Sequence, residues 1–252
     1  MTKNSLSQKF QDNFKQQYYF SFLVFALLCN FFYALPIHQS INLKILDLQF
    51  DFLQQAYPQK AKKEVVIVGI DTDTLQTFIE PMALWHRHLG LFFTAMAQTK
   101  PSVLGIDIGL PDKSYDKVVP GYDKALMHGL LALRQAKVPL VLALSEEQNG
   151  DISKIYAPFI SLAGGVASQG SAALIRDIDQ TVRFFTENIG HQGQSIPTLT
   201  GQMARKIDIQ PINGMINYGY GESFNYIPLH QINQLFKQGD HQQLAQMFAN
   251  KA

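Results

Sequence analysis

The sequence is poorest in cysteine: Cys29 is the sole one in 252 residues. It falls inside the one long apolar run, so the rest of the chain can form neither an internal disulfide nor a thiolate metal cluster. An excess of either charge is also missing, with 21 basic against 20 acidic residues and a formal net charge of +1. Without a basic field nothing concentrates the chain on a phosphate backbone, and nucleic acid is not an expected partner. The seven histidines form no His-Glu-x-x-His motif, and neither a Gly-x-Ser-x-Gly turn nor a glycine-rich phosphate loop follows a strand-like run. The common signatures of zinc hydrolases, serine hydrolases and nucleotide binders are thus excluded, and no catalytic residue, metal or cofactor is called for.

What is present is apolar. Hydrophobic residues make up 46% of the chain, ample for a folded core. Residues 18–35 (YYFSFLVFALLCNFFYAL) contain no charge. As a helix rising about 1.5 Å per residue they nearly cross a hydrocarbon core of about 30 Å. Tyr18, Tyr19 and Tyr33 stand near the ends, where amphipathic rings favour the headgroup region. Lys3, Lys9 and Lys15 against Asp12 mark residues 1–17 as the cytoplasmic tail, so that everything after Leu35 is exported. A cleaved signal peptide would need a small-x-small site, which Phe31-Phe32-Tyr33-Ala34-Leu35-Pro36 does not offer, and a soluble core helix would show a polar face. The expectation is a single-pass anchor in the inner membrane, with lipid as the partner of residues 18–35 and the C-terminal domain in the periplasm or extracellular space.

Residues 36–63 read as a juxtamembrane amphipathic helix and linker, the helix over 41–57 with Leu43, Ile45 or Leu46, Phe50 and Leu53 at helical spacing, broken by Pro58 and a polar run to Glu64. Residues 64–252 then alternate. Val65 to Ile70 and Ser102 to Ile108 are short β-branched runs, the first with the look of a strand buried on both faces, and Pro139 to Leu144 is a third such run. Between them the spacing predicts helices over 86–98 and 122–135. Strand, helix, strand, helix, strand calls for crossovers and a mostly parallel α/β sheet with flanking helices. Further on, strands are expected at 182–186 and 215–218, and helices at 197–206, 229–236 and 242–248. Pro197 is placed in the first turn of its helix.

In a parallel sheet, loops at the carboxyl ends of strands meet ligands, and here those loops carry Asp71, Asp73 and Asp107. Such acids can bind a cation, orient a basic ligand or exchange protons; equally, each can cap the helix that follows or pair with an arginine such as Arg87. Asp71-Thr72-Asp73-Thr74-Leu75 has the spaced acids of haloacid-dehalogenase-type phosphatases, but Leu75 stands where that pattern has Thr or Val. Trp85 reads as a packing anchor. His86 and His88, two apart, point to different faces of a helix.

Taken in order, several short elements resemble the CHASE2 family of extracytoplasmic sensory domains of bacterial receptors. Leu46 to Phe50 is similar to that family's post-anchor helix with an aspartate between apolar residues, and Val66 to Leu75 to its first strand and Ile-Asp-x-x-(Ser/Thr)-Leu element. Trp85-His86-Arg87 resembles a Trp-Pro-x-x-Arg turn without the proline, Ser102 to Ile108 the strand ending in aspartate, and Asp123 the acid opening the next helix. Gly170 followed by Asp177-x-Asp179-x-x-x-Arg183 is similar to the family's Gly and Asp-x-Asp-Gly-x-x-Arg hairpin, with Gln180 in place of the glycine. The resemblance implies a sensory, non-enzymatic module that binds a small ligand or a protein partner, with the rim acids ligand-facing or fold-defining pairs; the expected contact surface is the rim of Asp71, Asp73, Arg87 and Asp107. It also implies an output reached beyond Ala252, through a signalling partner or within a homodimer, with an accessory subunit of a membrane complex as the alternative and a tethered metal-dependent hydrolase behind it.

Overall fold

The computed structural model of the chain describes residues 3–34, 36–57, 64–147, 151–218 and 224–252. Two compact units are present, Met1–Pro58 and Gln59–Ala252.

The first unit holds α1 (Lys3–Ala34) and α2 (Pro36–Ala56). Residues 18–34 form the second half of α1, and large side chains such as Phe20, Phe22, Phe25, Leu27 and Leu28 are exposed in all directions around its axis. Asn30 turns its Nδ2 back onto the Ala26 carbonyl at 2.9 Å, so its amide finds a partner within the helix. Among the described residues, no helix is long and apolar enough to cross a membrane. Leu35, the last residue of the expected span, lies outside the described residues, and crossing is not established by length and apolarity. In α2, Leu43, Leu46 and Phe50 are half-buried at the expected helical spacing, whereas Leu53 is exposed. The expected break at Pro58 and the polar residues to 63 lie outside the described residues.

The second unit runs β1 (Val66–Gly69), α3 (Thr72–Thr77), a tight turn at Met82–Leu84, α4 (His86–Thr99), β2 (Leu104–Ile106), α5 (Lys124–Gln135), β3 (Leu140–Leu144), α6 (Ala157–Ala163) and β4 (Gln169–Ser171). There follow β5 (Phe184–Phe185), β6 (Asn188–His191), β7 (Gln194–Pro197), α7 (Leu199–Lys206), β8 (Gly214–Met215), β9 (Asn225–Pro228), α8 (Leu229–Gln238) and α9 (His241–Phe248). The architecture is mixed α/β with short parallel sheets, as expected, but the parallel pairing is divided. One sheet is β1 beside β9, and the other has the order β2-β3-β4. β5 with β8 and β6 with β7 are antiparallel pairs.

β1 and β2 do not pair with each other. The last residues of the chain lie between them: Ala252 donates to the Glu64 carbonyl and accepts from Val66 N–H, while the Lys251 carbonyl accepts from Ser102 N–H, at 2.7–2.9 Å. Beyond Ala252 a cleft of about 430 Å³ opens between the strands, lined by Val66, Val68, Ile106 and Met203. This corrects the expectation that β1 is buried on both faces. Ile67 is 44% exposed, because α7 packs over β2, β3 and β4 and leaves that side of β1 uncovered.

The core gathers where α4 meets α5. The predicted stripe Leu89, Phe92, Phe93 and Met96 is buried against Leu126, Leu130, Leu142 and Phe159, each such side chain contributing about 1.5–3 kcal/mol of burial. Two expectations are corrected in detail. Pro197 closes β7 instead of opening α7, and Thr198 is the cap, its Oγ1 accepting from Gly201 N–H at 3.1 Å. The strands expected at 182–186 and 215–218 shrink to β5 and β8, two residues each.

Candidate functional site

The acids predicted at the strand ends are held in different ways. Asp71 caps α3: its Oδ1 accepts the Thr74 N–H at 2.8 Å. That hydrogen bonding from Thr74 holds its carboxyl below the usual carboxylate range. Beneath it, Thr74 Oγ1 and His230 Nδ1 are 2.9 Å apart, and His230 Nδ1 lies 3.9 Å from Asp71 Oδ1. Asp73 is exposed in the first turn of α3, where a carboxylate suits the positive end of the helix. Asp107, exposed just past β2, lines the cleft between β1 and β2.

Arg87 is not with them. Its Nη2 pairs with Glu80 Oε1 at 2.7 Å, and the same carboxylate meets His88 Nε2 at 3.1 Å through Oε2. Around this pair stand Trp85, whose Nε1 donates to the Glu80 carbonyl at 2.7 Å, and Phe78, stacked on His88 at 3.7 Å. Trp85 is 1% exposed, a packing anchor as read from the sequence. The hydrogen bond from His88 holds Glu80 below its ordinary value, and burial pushes His88 down more strongly than Glu80 draws it up.

A second pair faces the other way, toward α5 and α6. His86 Nδ1 and Asp123 Oδ1 lie 2.9 Å apart, and both side chains are almost fully buried. The two groups face each other at hydrogen-bond distance but with poor hydrogen-bond geometry, so His86 Nδ1 and the Asp123 oxygens are incompletely satisfied. Tyr122 stacks on the imidazole at 4.3 Å and Phe159 meets it edge-on at 5.7 Å. Sequence reading named His86 and Asp123 separately but had no means of joining them across 36 intervening residues. His230 and Glu80 were missed: neither carries a local motif, and β9, which delivers His230 to α3, was not recognised as a strand.

The turn 177–183 has the form that the sequence suggested. Arg183 is 5% exposed and its guanidinium binds Asp177 and Asp179 at 2.8–2.9 Å. Among the described residues, no three His, Cys, Asp or Glu side chains gather to hold a metal ion.

These features define a mixed α/β domain in which several charged side chains, Asp71, Glu80, Arg87, Asp177, Asp179 and Arg183 among them, are tied to its own turns and helix ends, with a cleft between β1 and β2. The chain belongs to the CHASE2 domain family, whose model matches residues 22–252, and CHASE2 domains are extracellular or periplasmic sensory domains. No curated protein and no solved structure matches the chain.

Proposed function

We propose that the chain is a membrane-anchored, extracytoplasmic sensory domain, held by residues 18–35, that binds a small ligand or a protein partner at the strand-end rim. The family match over residues 22–252 carries this reading. It is supported by the cleft of about 430 Å³ beside Asp107 and by the exposure of Asp73 and Asp107 at the same ends of the strands. A carboxylate, Asp107, on the wall of a mostly apolar cleft suits a ligand with a cationic group and an apolar body. In this reading Asp71 shapes the rim through its cap and Asp73 and Asp107 face the ligand, while Arg87 is engaged by Glu80 away from them.

The test is a thermal-shift screen of the detergent-solubilised full chain against apolar amines. Asp107→Asn should leave basal stability unchanged, Asp73→Asn should lower it only slightly through the lost helix-end charge, and both should remove the ligand-dependent shift; an undiminished shift in both would overturn the assignment. The anchor is tested at Cys29, the sole thiol. In native membranes it should resist a membrane-impermeant maleimide and react after denaturation, and full labelling of intact membranes counts against the span. Exposed Val65, Ile67 and Tyr226 on the β1–β9 sheet favour a protein partner as the second reading. Recovery of the solubilised chain only as a monomer, with no co-purifying protein, would remove that reading.

A further inference from the structure

His86 sits at the first position of α4 with its side chain 4% exposed, and Asp123 immediately precedes α5 at 2%. The pair therefore joins α4 to the end of the segment that follows β2. That segment is a run of turns: Tyr115 accepts from the N–H groups of Val118 and Val119, Tyr122 N–H donates to Val119, and Asp123 N–H donates to Asp116 Oδ1 at 2.8 Å. Its outer side is open to solvent, with Val118 78% exposed. Its grip on α4 comes through Tyr122, whose hydroxyl accepts from His86 N–H at 3.3 Å and donates to the Ala83 carbonyl at 3.0 Å, and through Asp123.

We propose that the His86–Asp123 pair is a proton-operated latch, which holds the segment from Ser114 to Asp123 against α4 at neutral pH and releases it on acidification.

Three buried polar atoms, His86 Nδ1 and the two Asp123 oxygens, are incompletely satisfied in the closed structure. Opening would hand all three to water, so the closed segment is held with little margin. Every titratable or charged group around the imidazole belongs to a short list. On its own element and the turn before it are Glu80, Arg87 and His88, turned toward each other. On the facing segment are Tyr115, Asp116, Tyr122 and Asp123, and α6 offers the ring of Phe159. Asp123 and Asp116 draw the imidazole toward its charged form, but burial outweighs them and pushes it below the ordinary value.

In the released segment His86 is hydrated and titrates near its ordinary value of about 6.5. The open state therefore takes up a proton more readily than the closed one. The latch is fully closed above about pH 6.5, and the opening constant rises by up to tenfold per pH unit below it, until the depressed closed-state value is reached. A proton then acts as a ligand that selects the open conformation. This inference is independent of the rim formed by Asp71 and Asp107.

Hydrogen exchange on the detergent-solubilised full chain tests it, as protection relative to intrinsic rates at about pH 7.5 and about pH 5.5, either side of the ordinary imidazole value. In the wild type, protection across residues 114–123 should fall on acidification, by at most about tenfold between these two values. His86→Asn, which keeps a polar nitrogen but cannot titrate, should show equal protection at both values, and His88→Gln should respond as the wild type does. An NMR titration of the wild-type histidines supplies a measurement that needs no variant: the His86 signal must titrate at the midpoint of the loss of protection. An equal fall in His86→Asn, protection that rises on acidification, or a His86 that keeps one protonation state throughout would each overturn the latch.

Discussion

Arg183 holds Asp179 by two parallel hydrogen bonds, Nη1 to Oδ1 and Nη2 to Oδ2, each 2.8 Å long. The fork is bidentate, Asp177 adds a third bond at 2.9 Å, and the arginine is buried although its acids are partly open to water. Arg183→Met keeps much of the stem's packing and removes the donors, so its loss measures the hydrogen bonds to charge. A lower urea midpoint at unchanged slope is expected, moderated by the exposure of the Asp179 carboxylate to water. The bonds from Arg183 hold the Asp179 carboxyl well below its usual range. A depressed folded-state value means that this stability is present above the unfolded value, near pH 4, and is lost as pH falls below it. Between pH 4 and the acid limit, wild type and Arg183→Met should therefore converge in stability, and parallel pH profiles would contradict the assignment.

Gln180 sits in the same turn at φ +65°, a left-handed conformation that costs a side chain with a Cβ roughly 1–2 kcal/mol. Its N–H donates to the Asp177 carbonyl at 2.9 Å, and Thr181 accepts from Asp177 N–H, so the turn has no freedom to relax the angle. Glycine adopts the conformation without strain but raises the entropy of the unfolded chain by roughly 0.5–1 kcal/mol. Gln180→Gly should therefore stabilise the domain by about 0.5–1 kcal/mol, read as a higher urea midpoint at unchanged slope.

Elements that the sequence made legible are those whose signal is local. The stripe of α4 and the apolar run of β3 mark their own burial, the run of β1 marks a strand but not its burial, and the spaced acids and arginine of residues 177–183 close within one turn. Three kinds of feature were not legible. β9 carries no apolar run of its own and is a strand because Val66–Gly69 offers it an edge. The separation of β1 from β2 depends on Lys251 and Ala252 returning over more than 140 residues to lie between Glu64 and Ser102. The pairing of Arg87 with Glu80, away from the strand-end acids, depends on the turn at Met82–Leu84, whose direction the intervening residues do not announce. In each case a non-local partner decides the outcome.

That returning C-terminus gives the third prediction. Lys251 and Ala252 supply partners to Glu64, Val66 and Ser102, three backbone groups on the facing edges of two separate sheets. Deleting both residues leaves those groups to water at the mouth of the cleft, so the loss is the net value of ordinary hydrogen bonds. A decrease of about 1–3 kcal/mol is expected, with faster hydrogen exchange at Val66 and Ser102 and no change in the α4–α5 core. An unaltered exchange rate at both positions would show that the C-terminus does not order the strand edges.

At the crossing of α4 over α5 the two helices meet backbone to backbone, which leads to the last prediction. A Cβ placed on Gly129 would lie 2.4 Å from the Gly90 carbonyl oxygen and 2.9 Å from Phe93 Cβ, while one on Gly90 would lie 2.1 Å from the Ala125 carbonyl oxygen. The obstructing atoms are mostly backbone, which cannot move aside without separating the helices. Alanine in a helix interior is favoured over glycine by about 1 kcal/mol, so propensity alone predicts that Gly129→Ala stabilises. Overpacking opposes it with about 1–3 kcal/mol. The steric term is expected to win at this contact, because Phe93, Met96, Leu126 and Leu130 on either side are fully buried and would lose contact together as the helices part. Gly129→Ala and Gly90→Ala should each lower the thermal midpoint, and the double variant should lose less than the sum of the two, since one separation of the helices relieves both clashes. A gain in stability in either single variant would show that α4 and α5 can part without cost, and that the glycines are not what sets their distance.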